Sequence, residues 1–157
     1  MTEIVALYGD PVAGNPTSIM QNAAFREAGL DFVYVDIRVS ATELPAAIAA
    51  ARTLGFAGLN CTIPHKVAVI PLLDAVEPSA ELIGAVNTIR REGRRLVGAN
   101  TDGVGFLTAL RDAGIDPAGT RAMLLGAGGA ARAVASELAR AGAASIIVAG
   151  RDRVRRR

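Results

Sequence analysis

The sequence has one cysteine, one histidine and one lysine in 157 residues, and each scarcity excludes something. A single thiol, Cys61, cannot close an internal disulfide, so the chain is no disulfide scaffold and suits a reducing compartment. With one His and one Cys, the remaining metal ligands are mainly carboxylates in no recognisable cluster, so no metal site is expected. No apolar run reaches the roughly 18 residues that span a bilayer, and the opening MTEIVALYGD is acidic where a secretory leader is basic. A cytoplasmic protein without a membrane partner is the expectation. Hydrophobic residues at 51% against 20% charged supply a packed core and exclude a disordered chain.

The net charge of +2 is local. Residues 151–157 hold five Arg and one Asp, while the other 150 carry 12 basic and 14 acidic residues. The body is therefore slightly acidic. A nucleic-acid partner would rest on the terminal arginines alone, without interleaved aromatics or a recognised binding fold, and none is expected. Lysine usage is more informative, because 16 of the 17 basic residues are Arg and the one Lys, Lys66, directly follows the one His, His65. Arginine stays protonated at any working pH, whereas an ammonium gives up and takes back a proton, which makes proton transfer one reason for the exception. An accident of composition is the other.

Apolar patterning alternates strand and helix through the first half. Residues 3–8, 32–37 and 56–61 read as strands and 18–28 as a helix closed by Gly29. Ser40 and Glu43 read as a capping box for a second helix ending at Leu54. These βαβ units predict a parallel sheet. One or two helices broken by Pro71 and Pro78 should cover 67–83, followed by a hairpin of 86–91 with 96–100 through Glu92, Gly93 and Arg94. Thr101 is placed to cap a helix running to Ala113. A second βαβ unit follows, with strands at 122–125 and 145–149 around a helix at 130–141. The expected fold class is α/β, a parallel-sheet substrate-binding domain (1–117) followed by the start of a Rossmann dinucleotide-binding domain (118–157).

Three polar blocks and one glycine string carry the chemistry. Gly126, Ala127, Gly128, Gly129 and Ala130 lie between a strand and a helix, where glycines let backbone N–H groups approach a pyrophosphate and the helix N-terminus faces its charge. Arg151 is the first residue beyond the following strand and its glycine, which favours the 2′-phosphate of NADP over the free hydroxyl of NAD. Asn60-Cys-Thr62-Ile-Pro-His-Lys66 ends a parallel strand, where open α/β sheets bind ligands. Asn87-Thr88 and Asn100-Thr101-Asp102 add small polar groups at strand and helix ends. Each has a structural alternative, Asn87 as a turn residue and Asp102 as a first-turn acid. Together they offer one ammonium, one carboxylate and neutral hydrogen-bonding groups, a set suited to a polyhydroxylated acid and carbonyl–alcohol interconversion.

With GFAGLNCTIPHK (55–66), IGAVNTI (83–89), NTDGVGF (100–106) and LLGAGGAARA (124–133) in order, the chain resembles the shikimate dehydrogenases. The resemblance implies a substrate domain, a Rossmann cofactor domain and NADP-dependent interconversion of 3-dehydroshikimate and shikimate in aromatic amino-acid biosynthesis. It puts the catalytic lysine on Lys66 and its partner aspartate on Asp102, and gives Thr62 and Asn87 to the substrate hydroxyls. Two serines usually grip the substrate carboxylate in this family; here the aligned loop offers Asn15 and Thr17, an amide and a hydroxyl that can also donate. The change leaves room for quinate or another cyclic polyol acid as substrate. Only 38 residues follow Gly119, enough for one βαβ unit, so a shortened cofactor domain is expected, with a non-catalytic binding module as the alternative and a homodimer as the assembly to test.

Overall fold

Ala6, Leu7 and Tyr8 are buried on β1 (Glu3–Gly9), and the pairing of this apolar strand organises the first sheet. The structure, a computed structural model, describes residues 1–150. β1 runs parallel to β2 (Phe32–Arg38) on one side and to β3 (Gly58–Cys61) on the other. The connections are α1 (Thr17–Glu27) and α2 (Leu44–Leu54), the latter burying Leu44, Ile48 and Ala51 at the spacing of one helix face. β5 (Thr88–Glu92) pairs antiparallel with β3, and β6 (Arg95–Ala99) returns antiparallel to β5 around Gly93 and Arg94. β4 (Ala75–Val76), parallel to β6, completes the order β2-β1-β3-β5-β6-β4.

The sheet is thus mixed: β1, β2 and β3 are parallel as the βαβ pattern predicted, and the expected hairpin joins β3 antiparallel, a pairing the pattern did not specify. A two-residue turn brings consecutive strands back only antiparallel, and the β5–β6 hairpin enters the sheet beside β3. Residues 67–83 also differ from expectation. They follow a one-turn α3 (His65–Ala68) with a 3-10 turn (Ile70–Leu72), then β4, then α4 (Pro78–Ile83). β4 carries no alternation that a sequence could display in two residues; Leu96 N, donating to Asp74 Oδ2 at 2.7 Å, fixes the approach of its chain to β6.

The two expected caps are rearranged. Ser40 donates from both N (3.0 Å) and Oγ (2.6 Å) to Glu43 Oε2, but α2 starts only at Leu44, so the pair stabilises the turn before the helix instead of its first N–H groups. Thr101 makes no side-chain cap to α5 (Asp102–Asp112); Asn100 Oδ1 accepts from Asp102 N at 3.0 Å and does that work.

Contacts divide the chain into two units, Met1–Glu77 with Val86–Ala99 and Pro78–Ala85 with the residues from Asn100 on. In the second, β7 (Arg121–Leu125) and β8 (Ser145–Ala149) pair in parallel around α6 (Gly129–Arg140), and α4 and α5 pack on α6. By contacts α5, which precedes residue 118, is grouped with α6 in the second unit. Gly103 makes that packing possible. A Cβ there would stand 2.5 Å from Ala133 O and 2.6 Å from Glu137 Cγ, and the backbone carbonyl has no way to yield locally.

Gly103→Ala is accordingly expected to destabilise the second unit by about 1–3 kcal/mol, the usual cost of overpacking a close helix contact. Urea denaturation of the variant beside the parent checks it; an unchanged midpoint would show that α5 and α6 separate freely.

Candidate functional site

The topology sends five of the expected site residues to one edge of the first sheet. β1, β2 and β3 are parallel and all end there, at Gly9, Arg38 and Cys61, while the antiparallel β5 begins there at Thr88. Asn15 and Thr17 lie on the β1–α1 connection, Thr62 and Lys66 directly after β3, and Asn87 directly before β5. This is the carboxyl edge, where open α/β sheets place their ligands.

Backbone hydrogen bonds lock these segments to one another. Thr62 N donates to Tyr8 O (2.9 Å), Asp10 N to Ile63 O (2.9 Å), Val39 N to Gly9 O (3.0 Å) and Cys61 N to Asn87 O (2.8 Å). Lys66 is held through its carbonyl, which accepts from Val86 N at 2.7 Å. Gly9 is required by the same closeness, since a Cβ at that position would come within 2.3 Å of Thr62 Cγ2 and 3.2 Å of Ile63 O. His65 is fully buried and its Nε2 lies 2.7 Å from Val39 O. A carbonyl only accepts, so that nitrogen carries the proton. The ring thereby ties α3 to the end of β2, and its buried Nδ1 has no hydrogen-bond partner among the described residues.

A side-chain network positions Asn87. Tyr34 OH donates to Asn60 Oδ1 (2.8 Å), Asn60 Nδ2 donates to Asn87 O (3.1 Å) and Thr88 Oγ1 (3.2 Å), and Thr88 Oγ1 donates to Asn87 Oδ1 (2.9 Å). Tyr34, Asn60 and Thr88 are positioning residues; Asn60 and Thr88 lie in the polar blocks of the sequence without a role of their own there, and Tyr34 was not among the candidates. The available signal was Asn60, a polar side chain between the buried Leu59 and Cys61 of a short strand. Burial holds the Tyr34 phenol well above its ordinary range, so it acts as a permanent donor in this chain. Burial also pushes the Cys61 thiol up to about 12, against an opposing pull from the Lys66 charge. At the end of β1, hydrogen bonding from Arg38 keeps the Asp10 carboxyl below the usual carboxylate range.

The remaining candidates belong to the second unit. Asp102 opens α5 and is half-buried, and Asn100, itself buried, donates from Nδ2 to Ala85 O at 2.9 Å. Gly126, Ala127, Gly128, Gly129 and Ala130 form the turn from β7 into α6, which begins at Gly129, one residue earlier than expected. Gly126 has φ +119°, a conformation that excludes other residues, and Gly126 N donates to Ala149 O at 2.7 Å. Among the described residues, a Cβ at Gly126 or Gly128 would meet nothing within 4 Å, so their packing leaves open space beside this backbone. α6 has neither a side-chain cap nor an acidic residue in its first turn, which leaves its N-terminal N–H groups and dipole suited to a phosphate group. These features fit the pyrophosphate of a dinucleotide. Arg151 lies outside the described residues. Among the described residues, no group of three His, Cys, Asp or Glu is placed to hold a metal, and no helix is long and apolar enough to cross a membrane.

Comparison with known proteins gives this arrangement a context. Residues 7–89 match the family described as Shikimate dehydrogenase substrate binding domain. The chain is 53% identical over 152 residues to the shikimate dehydrogenase (NADP(+)) of Geobacter metallireducens, covering 96% of this chain and 53% of that one. Among solved structures, the shikimate 5-dehydrogenase of Thermus thermophilus in complex with NADP(H) and shikimate is similar at TM-score 0.90 and 39% identity, over 99% of this chain and 58% of that one. The ligand-free 5-ketofructose reductase of Gluconobacter sp. strain CHM43 is similar at TM-score 0.87 and 45% identity, over 99% and 56%. The chain spans about half the length of the curated relatives it matches.

The burial of Cys61 has a direct chemical consequence. Alkylation proceeds through the thiolate, and a thiol titrating near 12 holds a negligible thiolate fraction at pH 8. Iodoacetamide is therefore expected to modify the folded chain at least about 100-fold more slowly than the urea-unfolded chain, read by mass spectrometry. Equal rates would place Cys61 in solvent.

Proposed function

Because the chain belongs to the shikimate dehydrogenase family, we propose that its first unit binds the polyol ring of shikimate or 3-dehydroshikimate and that its second unit begins the NADP site of the dehydrogenase that interconverts them. The observation that carries the proposal is the convergence of Thr62, Lys66 and Asn87 at the carboxyl edge of the sheet formed by the family-matched segment. Ring binding is assigned to residues 1–117 and nucleotide binding to 118–157, with α5 serving as packing for the latter. Quinate or a related cyclic polyol acid is the alternative substrate. Likeness to a 5-ketofructose reductase supports a second reading of the same reaction, on a keto sugar.

Reduction of the ring ketone adds a hydride to carbon and a proton to oxygen. When bound, NADPH supplies the hydride, with Gly126, Ala127, Gly128, Gly129 and Ala130 holding its pyrophosphate and Arg151 its 2′-phosphate. Lys66 hydrogen-bonds the ketone oxygen as an ammonium, stabilises the charge that develops there, and donates the proton. In the reverse direction the neutral amine takes the proton from the hydroxyl. Asp102 is proposed as the carboxylate that orients the ammonium. Thr62 and Asn87 hold ring hydroxyls, Asn87 with its amide oriented by Thr88. Asn15 and Thr17 face the substituent at the far side of the ring. A cytoplasmic location accompanies this reading, and the exposed apolar residues Met123, Leu125 and Ile147 support a homodimer.

Lys66→Arg separates charge from proton transfer, since guanidinium keeps the first and not the second. Shikimate at tenfold above its Kd is expected to stabilise both parent and variant by about 1.4 kcal/mol in thermal unfolding. Turnover, measured as NADPH oxidation with 3-dehydroshikimate, is expected to fall by at least about 100-fold in the variant. Parent-like rates in Lys66→Arg would remove Lys66 from the reaction. Stabilisation of the parent by shikimate without any turnover would instead identify a binding module.

A further inference from the structure

α1 buries none of its residues fully, so its seat on the first sheet depends on a few side chains. Ser18, Asn22 and Phe25 fall at the i, i+4, i+7 spacing of one helix face, and they meet β2 in reverse order. Ser18 Oγ donates to Asp36 Oδ2 at 2.8 Å, Asn22 engages the backbone of Tyr34, and the Phe25 ring centroid lies 5.3 Å from that of Phe32. The middle contact is made on both sides of one residue. Asn22 Oδ1 accepts from Tyr34 N at 2.9 Å, while its Nδ2 donates to Tyr34 O at 2.9 Å and to Ser18 O at 2.8 Å. Only an oxygen accepts from a backbone N–H, so the orientation of this amide is fixed, and its carbonyl and both its N–H hydrogens are in use.

β2 is the edge strand of the six-stranded sheet, and an edge strand turns unpaired backbone groups outward. The Asn22 amide supplies the missing partner at Tyr34, in the manner of a neighbouring strand. That residue opens the hydrogen-bonded series that ends on Asn87. Tyr34 OH passes over β1 to reach Asn60 on β3, two strand spacings away, about 9–10 Å. Its 2.8 Å bond to Asn60 Oδ1 weakens steeply with displacement, and the donor sits at the far end of a long side chain whose position follows the backbone that carries it. Asn15 and Thr17 stand at the start of α1, so both flanks of the proposed ring site hang on the seat of this helix.

We propose that Asn22 is a positioning residue for Asn87: by pinning the backbone of Tyr34 on the open edge of β2, it aims the phenol at Asn60 and so sets the Asn87 amide. For its effect on ligand binding the inference rests on the reading of Asn87 as a ring-hydroxyl ligand. Asn22 itself touches no ligand in this scheme; it acts through Tyr34 and Asn60.

Two measurements on the full chain test it. The sequence has five Asn, so the side-chain amide signals of Asn60 and Asn87 can be followed in 15N spectra of the ligand-free protein. Asn22→Ala is expected to move both signals in the direction that Tyr34→Phe moves them; unmoved signals in folded Asn22→Ala overturn the inference. Asn22→Asp keeps the shape and the acceptor for Tyr34 N, loses the donor to Tyr34 O, and takes the place of Asn22→Ala if that variant does not fold. Calorimetric titration with shikimate is the second measurement. Each single substitution is expected to raise the Kd at least about threefold, and the Asn22→Ala/Tyr34→Phe double variant no more than about twofold beyond the weaker-binding single, because both cut the same path. Losses that multiply in the double variant overturn the inference and leave the ring-binding reading standing. A parent that does not bind shikimate at millimolar concentration overturns that reading instead, and the amide signals then decide the role of Asn22.

Discussion

Parallel pairing of β1 with both β2 and β3 is the constraint on which the rest of the first unit depends. It brings three strand ends to one edge, and the loops that leave them must then share space and hydrogen bonds. Thr62 reaches back to Tyr8, Asp10 to Ile63, and Val39 to Gly9, so each loop is held by the next strand's loop and not only by its own. The closeness leaves no room for a side chain at Gly9. Chemistry-bearing residues on such loops are positioned by the sheet with the precision of the sheet, although none of them lies within a strand.

The polar groups inside this edge form a chain in which nearly every donor meets an acceptor. Removing one member of the Tyr34–Asn60–Thr88–Asn87 series deletes a part-buried hydrogen bond, each worth about 0.5–1.5 kcal/mol. The series therefore rigidifies the amide of Asn87 as well as stabilising the sheet. His65 does comparable work at the strand ends, anchoring the segment that carries Thr62 and Lys66 to the Val39 carbonyl. The second unit reaches its order by a different route. Small residues let α5 lie against α6, and glycines with open space beside them leave the N-terminus of α6 accessible.

Much of this was legible in order of appearance along the chain. Apolar alternation located β1, β2, β7 and β8 to within a residue or two, and glycines and prolines marked most of the turns. The isolation of Lys66 among arginines singled out a candidate amine, and the glycine string between β7 and α6 a candidate nucleotide turn. Tyr34 gave no such sign. It reads as an ordinary buried aromatic until its hydroxyl is seen on Asn60, a residue 26 positions away on a strand that is not its neighbour in the sheet. Thr101 and Ser40 gave misleading signs, because a capping residue type shows only that a side chain can satisfy a helix end; Asn100 and a pre-helical turn took those roles.

By itself the sequence determined most of the element types, the family resemblance and the candidate reactive groups, since these follow from local periodicity and from which functional groups the side chains contain. Tertiary structure alone decided the antiparallel entry of β5 beside β3, the packing of α5 with α6, and the direction in which the hydroxyl of Tyr34 points. The reason is physical: a hydroxyl proton follows whichever acceptor is nearest in space, and strand order decides which acceptor that is.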